Sequence, residues 1–266
     1  MSIIFITGAT DGIGLETAQQ LARLGHELVL HGRSESKAKS AREAVLEKSP
    51  AAAIHTAHAD LADLAEVVHM ANSLNTLLPR LDVLLNNAGV YMLERKVSRN
   101  GFEMTLAVNH LAHFLLTALL LPLLKKSADP RVVTVSSLVH TSGRMDFDNL
   151  NSERRFNGYH AYCNAKLANA LFAAELARRE PWLTSNCLHP GVIDTKLLHA
   201  AFDMAGNSVH SGAKTSVYLA TSPEVKGISG KYFDNCNITE PLAAVNDTEL
   251  SQQLWQWSEK AIGSAL

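Results

Sequence analysis

Short apolar runs alternate with stretches of helical periodicity along most of the chain. Six of these runs predict β-strands, and a short seventh strand is predicted near Gly230–Phe233. The six runs are Ile3–Thr7, Glu27–His31, Ala53–Ala57, Val83–Asn86, Val132–Ser136 and Ser185–Leu188. Because a helical stretch separates each strand from the next, we expect right-handed crossovers between parallel strands. The pattern therefore predicts an α/β fold with one doubly wound parallel β-sheet and helices on both faces.

Length and composition favour one domain without a membrane segment. The 266 residues are 47% hydrophobic and 19% charged, enough for a large core, and no linker divides them, so one domain is predicted over residues 1–266. The most apolar segment, Leu111–Leu124, is shorter than a bilayer span and predicts a buried helix. Only Met1 and Ser2 precede the first predicted strand, so we expect no signal peptide or membrane anchor.

The charge and the cysteine content indicate which class of partner and which cellular location to expect. The net charge is −2 and the basic residues are scattered, so we expect no nucleic acid partner and favour a small or neutral one. Cys163, Cys187 and Cys236 are odd in number and far apart, which indicates reduced thiols and a cytoplasmic location. Two His-x-x-His spacings lack a neighbouring Cys or carboxylate cluster, so no metal site is predicted.

A glycine-rich turn follows the first predicted strand. Thr7 is followed by Gly8, Gly12 and Gly14, after which a helical pattern begins. Glycines let the backbone approach a pyrophosphate closely, and the start of a helix offers unpaired N–H groups and a positive dipole end. The turn predicts a dinucleotide site, although a glycine-rich connection also occurs without a ligand.

The residues after the second strand favour NADP over NAD. Folds that select NAD usually place an acidic residue here for the ribose hydroxyls, and Gly32 stands at that position. Arg33 and Lys37 suit a 2′-phosphate instead, because their cationic groups pair with phosphate. The alternative is that both residues belong to a solvated basic turn.

Polar and small residues also follow the third and fourth strands. Asp60 and Leu61 are predicted to open a helix, with Asp60 as its cap. The run Asn86–Gly89 allows close backbone approach to a ligand, or serves only as a turn. Because ligands of parallel sheets lie outside the carboxyl ends of the strands, these positions are candidate binding residues.

Tyr162 and Lys166 lie one turn apart in a predicted helix and therefore share one of its faces. A carbonyl that accepts hydride also needs a proton, and a nearby ammonium is expected to lower the pKa of Tyr162 toward working pH. Such a Tyr-x-x-x-Lys pair also arises by chance. Ser137 places a hydroxyl at the end of the fifth strand, and we favour it over Ser136 as a substrate contact.

The motifs between Ile3 and Thr195 resemble those of the short-chain dehydrogenase/reductase family in type, order and spacing. The resemblance implies a Rossmann-type domain that binds NAD(P). It implies that Tyr162 is the general acid/base, that Lys166 holds the nicotinamide ribose and that Ser137 bonds the substrate oxygen. Asn109 would kink its helix and connect Lys166 to solvent through a water. From the residues alone, Asn109 is a satisfied polar group of the core.

The same resemblance implies a set of cofactor-binding positions. Asp60 would accept a hydrogen bond from the adenine amino group, and the segment after the sixth strand would pack on the nicotinamide. The full set is Gly8, Thr10, Asp11, Gly12, Ile13, Gly14, Arg33, Lys37, Asp60, Leu61, Asn87, Ala88, Gly89, Tyr162, Lys166, Pro190, Gly191, Val192 and Thr195. The implied cofactor is NADP, with NADPH preferred and NAD possible.

The long loop between Ser137 and Tyr162, and the run Gly-Lys-Tyr-Phe-Asp around residue 232, resemble the retinol dehydrogenase-like branch. A substrate lid is predicted at about 196–212, with apolar residues Leu197, Leu198, Phe202 and Met204. These residues favour a small apolar aldehyde or ketone, interconverted with its alcohol, or equally they only cover the core.

Two long helices, predicted over Phe102–Leu124 and Tyr159–Arg179, are the elements through which members of this family often pair. The resemblance therefore implies a homodimer or a homotetramer. The apolar part of the first of these helices, Leu111–Leu124, is the segment predicted above to be buried.

Two other functions stay open at this point. A sugar-nucleotide epimerase or dehydratase shares the Tyr-x-x-x-Lys pair, but the Gly-x-x-x-Gly-x-Gly spacing and the small C-terminal region argue against it. An NADP-binding sensor or scaffold without catalysis is disfavoured because every catalytic position is occupied.

Overall fold

The fold is built on an eight-stranded β-sheet, seen in a computed structural model that describes residues 1–202 and 204–263. The strand order is β3-β2-β1-β4-β5-β6-β7-β8; β1 to β7 are parallel and β8 is antiparallel to β7. The strands are β1 Ile3–Ile6, β2 Glu27–Gly32, β3 Ile54–His58, β4 Val83–Asn86, β5 Arg131–Val135, β6 Thr184–His189, β7 Tyr232–Asp234 and β8 Asn237–Ile238. The chain starts in the middle of the sheet and winds outward in both directions, which confirms the predicted doubly wound α/β fold.

Helices cover both faces of this sheet. They are α1 Gly12–Arg23, α2 Glu35–Lys48, α3 Leu64–Leu77, α4 Met104–Leu106, α5 Ala112–Leu124, α6 Gly158–Arg179, α7 Lys196–Ala201, α8 Val209–Thr221 and α9 Thr248–Gly263. Successive strand residues point to opposite faces, so Phe5 joins the core beneath α3, α5 and α6, whereas Ile4 and Ile6 join the core beneath α1, α2 and α8. Two buried faces explain why the central strands β1 and β4 are almost continuously apolar rather than alternating.

The predicted strands are all present, with ends displaced by at most two residues, but β8 is missing from the prediction. It forms a hairpin with β7 through Asn235 and Cys236, whose φ angles are 46° and 63°. Hairpin turns with this backbone conformation usually contain glycine, and this one does not, so the usual sequence signal is absent. Asp203, within the predicted lid, and residues 264–266, within the predicted domain, lie outside the described residues.

Residues Met104–Leu124 form one continuous helix, in which α4 and α5 flank a π-helical turn at Ala107–Leu111. Among the described residues this is the one helix long and apolar enough to cross a membrane: it has 21 residues, and its apolar window of 18 residues has a mean hydropathy of 1.7. The segment Leu111–Leu124 alone is shorter than a bilayer span, but the helix that contains it, predicted from Phe102 and observed from Met104, is long enough to span one by length and composition. The prediction of burial is confirmed, since 78% of the apolar window lies inside the protein.

The C-terminal helix α9 packs across α5 and α6. The Trp255 ring lies 4.8 Å from that of Phe114 and stacks on Phe172 at 5.8 Å, and the Arg179 guanidinium sits 4.6 Å above Trp255. These contacts cover part of both helices through which a dimer is expected to form. The oligomeric state stays a prediction.

Asp82 connects the amino ends of β1 and β4, at the end of the sheet opposite the carboxyl ends of the strands. Its carboxylate accepts hydrogen bonds from the Ile3 N–H at 2.7 Å, the Ser127 hydroxyl at 2.6 Å and the Arg80 guanidinium at 3.0 Å. Burial raises the pKa of Asp82, but these hydrogen bonds lower it by more, so the pKa is below its ordinary value. The ionised carboxylate therefore stabilises the fold.

We predict that Asp82→Ala lowers the free energy of unfolding by about 2 kcal/mol, because buried donors lose a charged acceptor. The loss is fully present at neutral pH and shrinks as pH falls through the depressed pKa, where the native carboxylate becomes protonated. Urea denaturation at pH 7 and pH 3 measures it. The control is Asp148→Ala, which removes an exposed carboxylate. Equal stability of the two variants at pH 7 would contradict the assignment.

Candidate active site

A cleft of about 690 Å³ opens along the carboxyl ends of the central strands. It brings together nearly all of the residues predicted for the site. Those that line it are Gly8, Thr10, Asp11, Gly12, Ile13, Gly14, Arg33, Asp60, Leu61, Asn87, Ala88, Gly89, Ser137, Tyr162, Lys166, Pro190, Gly191, Val192 and Thr195. Lys37 and Asn109 do not line it. Within the described residues, no group of three or more His, Cys, Asp and Glu side chains is placed to hold a metal ion.

The glycine-rich turn packs tightly against the end of β4. Gly8 has a φ of +65°, and a Cβ added there would lie 2.8 Å from the Ala88 Cα. A Cβ on Gly14 would lie 2.2 Å from the Gly8 carbonyl oxygen. Helix α1 begins directly after this turn, and its cap Asp11 accepts a hydrogen bond from the Gly12 N–H at 2.8 Å. A bare backbone at a helix N-terminus fits a pyrophosphate.

Thr7 fixes the distance between the ends of β1 and β4. Its hydroxyl accepts hydrogen bonds from the backbone N–H groups of Asn87 at 2.9 Å and Ala88 at 3.0 Å, and the Asn87 side chain donates to the Thr7 carbonyl at 2.8 Å. The sequence prediction leaves Thr7 out of the binding set. A hydroxyl at the last position of a predicted central strand is the signal that identifies it.

The far end of the cleft has the features expected for NADP. Gly32 leaves no room for an acidic side chain, because a Cβ there would lie 2.8 Å from the Ala38 amide nitrogen. Arg33 is exposed and lines the cleft, whereas Lys37 is one helical turn away and exposed outside it. A guanidinium at this place, with no carboxylate at residue 32, can pair with a 2′-phosphate.

Asp60 is not the cap of a helix, which corrects the sequence prediction. Helix α3 begins at Leu64, and its cap is Asp63, whose carboxylate accepts a hydrogen bond from the Ala65 N–H at 3.0 Å. Asp60 instead accepts from the Ala62 N–H at 3.0 Å, in a turn between β3 and the helix. Asp residues favour both situations, so the sequence alone does not distinguish them.

The two serines at the end of β5 have different surroundings. The Ser136 hydroxyl is buried and donates to the Lys166 carbonyl at 2.7 Å, so it is engaged inside the protein. Ser137 is half-buried and lines the cleft, and its oxygen accepts only a long hydrogen bond from the Val139 N–H, at 3.5 Å. The geometry thus favours Ser137 as the residue that faces a substrate.

Tyr162 and Lys166 project from one face of α6, with the Lys166 Nζ 5.5 Å from the centre of the Tyr162 ring. The Lys166 ammonium donates to the Val135 carbonyl at 3.0 Å. Burial lowers the pKa of Lys166 to about 8. Burial, with a smaller contribution from Cys163, raises the pKa of Tyr162 above its ordinary value. The predicted lowering of the tyrosine pKa is therefore wrong for this structure, because loss of hydration on burial raises the pKa.

Asn109 lies in the π-helical turn and is held by a loop at the edge of the cleft. Its side-chain oxygen accepts from the Val90 N–H at 2.8 Å, and its amide donates to the Val90 carbonyl at 3.0 Å. The predicted distortion of the helix is present as this π turn. A Cβ on Gly89 would lie 3.6 Å from both the Asn109 Oδ1 and the Lys166 Nζ, so only a bare backbone separates the two side chains.

Apolar residues of the segment that follows β6 cover one side of the cleft. Leu197, Leu198, Phe202 and Met204 all line it. Phe202 packs 6.1 Å from Tyr91, and Tyr91 packs edge-on against Tyr162 at 5.5 Å. The predicted lid residues therefore lie near the tyrosine rather than only over the core.

A doubly wound sheet with a glycine-rich turn at one end of its cleft, and serine, tyrosine and lysine at the other, defines the class of nicotinamide-dependent oxidoreductases. The sequence model of the short chain dehydrogenase family matches residues 2–206. The chain belongs to that family, in its retinol dehydrogenase-like branch, and is an oxidoreductase that acts on CH–OH groups.

Individual relatives agree with this assignment. The chain is 39% identical to Retinol dehydrogenase 14 of Homo sapiens, over 98% of this chain and 86% of that protein. A crystal structure from Mycobacterium Paratuberculosis superposes with a TM-score of 0.79 at 32% identity, covering 98% of this chain and 93% of the other. A short chain dehydrogenase from Escherichia coli CFT073, complexed with NADPH, gives a TM-score of 0.74 at 28% identity over 89% and 97% of the two chains. None of these findings favours the epimerase or the sensor alternative.

We predict that Lys166→Met stabilises the protein while removing its activity. A buried ammonium whose pKa is lowered from 10.5 to about 8 destabilises the fold at neutral pH, so its removal raises the free energy of unfolding by roughly 1–3 kcal/mol. The gain over the native protein is fully present below pH 8 and shrinks as pH rises from 8 toward 10.5.

Chemical denaturation of the protein without cofactor, at pH 7 and pH 10, measures this difference. Lys226→Met removes an exposed lysine and serves as the matched control, with a change within about 0.5 kcal/mol. A Lys166→Met protein less stable than the native one at pH 7 would refute the prediction.

Proposed function

We propose that the protein is an NADPH-dependent reductase of apolar aldehydes or ketones, which also catalyses the reverse oxidation of the alcohols. The observation that carries the proposal is the meeting of Ser137, Tyr162 and Lys166 in one cleft whose other end is a glycine-rich cradle beside Arg33. Relatives named retinol dehydrogenases and an NADPH complex of a structural neighbour support it. The predicted cytoplasmic location stays a prediction.

The residues present fit NADP. The turn from Gly8 to Gly14 would hold the pyrophosphate, Arg33 the 2′-phosphate, and Lys166 the nicotinamide ribose. Bound NADPH would supply the hydride that reduces the carbonyl carbon. The protein binds the two reactants side by side and excludes water from the point where they meet.

The proton for the new alcohol comes from Tyr162 in this mechanism. The Ser137 hydroxyl donates a hydrogen bond to the carbonyl oxygen, and the Tyr162 phenol transfers its proton to that oxygen as negative charge develops there. Because burial raises the pKa of Tyr162, the phenol is protonated at neutral pH, as a general acid must be.

The substrate lies against the apolar side of the cleft. Leu197, Phe202 and Met204 come from the segment after β6, and Met104 and Val108 come from the long helix. Side chains of this kind bind hydrocarbon by burying its surface and offer no partner to a hydroxyl-rich molecule. We therefore propose an apolar chain or ring next to the reacting carbonyl.

Tyr162→Phe tests the catalytic assignment. We expect kcat for NADPH-dependent aldehyde reduction to fall by about 10²–10⁴, because the proton donor is lost, while the dissociation constant for NADPH stays within about twofold. Steady-state assays on a panel of apolar aldehydes and ketones give kcat, and NADPH fluorescence titration gives the dissociation constant. Tyr159→Phe, which removes a half-buried phenol on the same helix, is the control. If Tyr162→Phe retains the biological effect of the protein in full, a binding function without catalysis would be favoured.

Arg33→Ala tests the cofactor preference. We expect the dissociation constant for NADPH to rise by roughly tenfold to a hundredfold, because a charge-assisted contact with the 2′-phosphate is lost. The constant for NADH stays within about twofold, since NADH lacks that phosphate. Lys37→Ala, which changes a cation outside the cleft, is the matched control. Parallel losses for NADPH and NADH would show that Arg33 does not read the phosphate.

A further inference from the structure

Two histidines hold the peptide bond that joins Ser137 to Leu138. The His140 Nδ1 lies 2.8 Å from the Ser137 carbonyl oxygen, which also accepts from the His140 backbone N–H at 3.0 Å, and the Leu138 N–H donates to the His189 Nδ1 at 3.1 Å. The two rings are 1% and 7% exposed. Because both polar groups of one peptide unit are engaged by side chains, this peptide plane cannot turn without breaking a buried hydrogen bond.

The hydrogen bonds define the tautomer of each ring. The His140 Nε2 accepts from the Leu242 N–H at 3.0 Å, so the proton of the neutral ring is on Nδ1 and is donated to the Ser137 carbonyl. The His189 Nδ1 is an acceptor, so the proton of that neutral ring is on Nε2. Burial lowers the pKa of both histidines, and of the charges around His189, Asp234 raises its pKa while His140 and Lys166 lower it.

The two rings approach Ser137 from separate parts of the chain. His189 is the last residue of β6 and lines the cleft. His140 packs against the Tyr232 ring of β7 at 4.6 Å and receives the Leu242 amide. The orientation of Ser137 therefore depends on two neighbouring strands and on the C-terminal part of the chain, not only on the strand that carries it.

We propose that His140 and His189 are positioning residues that direct the Ser137 hydroxyl into the cleft by fixing the Ser137–Leu138 peptide. The inference rests on the proposed function, in which Ser137 bonds the carbonyl oxygen of the substrate. Residues of this kind act through the group that they hold. Their loss therefore lowers kcat without weakening NADPH binding, because a hydroxyl displaced by even about 1 Å no longer matches the reacting oxygen.

The chemistry of the two rings offers a matched pair of substitutions. Asparagine places a polar atom where the histidine has Nδ1, whereas glutamine reaches the Nε2 position and leaves the δ position empty. We expect His189→Gln to lower kcat for aldehyde reduction by about tenfold or more, and His140→Gln to lower it by less, because the Ser137 carbonyl keeps the His140 backbone N–H as a donor. We expect His189→Asn and His140→Asn to retain kcat within about threefold, even where thermal stability falls, because the peptide keeps its partner.

The control is His26→Gln. His26 also accepts a backbone hydrogen bond through Nδ1, from Ser2 at 3.3 Å, but it lies outside the cleft. Its loss leaves kcat unchanged. All variants are compared as folded protein with measured NADPH dissociation constants, which we expect to stay within about twofold of the native value.

A double-mutant cycle separates positioning from general destabilisation. In a Ser137→Ala background, His189→Gln causes no further loss of kcat if it acts through Ser137, and the full loss if it acts elsewhere. Equal kcat for the Asn and Gln variants, or additive losses in the cycle, would overturn the inference. Failure of the proposed function is distinguishable, because the native protein would then show no turnover or Ser137→Ala would retain it.

Discussion

At the carboxyl ends of the parallel strands, the terminal backbone N–H and C=O groups have no neighbouring strand with which to form hydrogen bonds. Buried backbone groups need hydrogen-bond partners, so side chains supply them here. Thr7 satisfies Asn87 and Ala88, Asn109 satisfies both groups of Val90, and His189 satisfies Leu138. The cleft is thus bounded by backbone whose position is fixed by polar side chains, which gives the site its rigidity.

Burial of these polar groups has an electrostatic consequence. The Thr7 hydroxyl lies 2.9 Å from the His113 Nε2, and the His113 Nδ1 lies 3.0 Å from the Asn109 carbonyl, so a neutral histidine links the glycine-rich turn to the π-helical turn. Burial lowers the pKa of His113 to about 3, which keeps this link intact at neutral pH. The same desolvation acts on Tyr162 and Lys166, where it disfavours the charged form of each side chain. The chemistry and the architecture therefore depend on the same low-dielectric interior.

Much of this architecture follows from the sequence, because apolar periodicity fixes strands and helices and parallel strands fix the edge where chemistry occurs. Gly8, Gly14, Ser137, Tyr162 and Lys166 are found from their positions relative to predicted strands. What cannot be predicted depends on distant contacts. The bond between Thr7 and His113 spans 106 residues, and the choice of Asp63 over Asp60 as a helix cap depends on where the chain leaves β3. The direction of the pKa shift at Tyr162 depends on burial, which spacing alone does not give.

For the long helix Met104–Leu124, hydropathy alone does not determine the environment, because that depends on what packs against the helix. Its apolar surface is consistent with a membrane span, with a dimer interface or with the interior of a single chain. In the structure its residues join the core beneath α3 and α6, and Trp255 of α9 packs against Phe114. A segment more than 130 positions later in the chain therefore covers surface that the helix alone would leave exposed. The polar residues Asn109 and His113 of this apolar helix are buried, and Val90 and Thr7 beside the cleft are their hydrogen-bond partners, so the helix also holds polar groups that support the site.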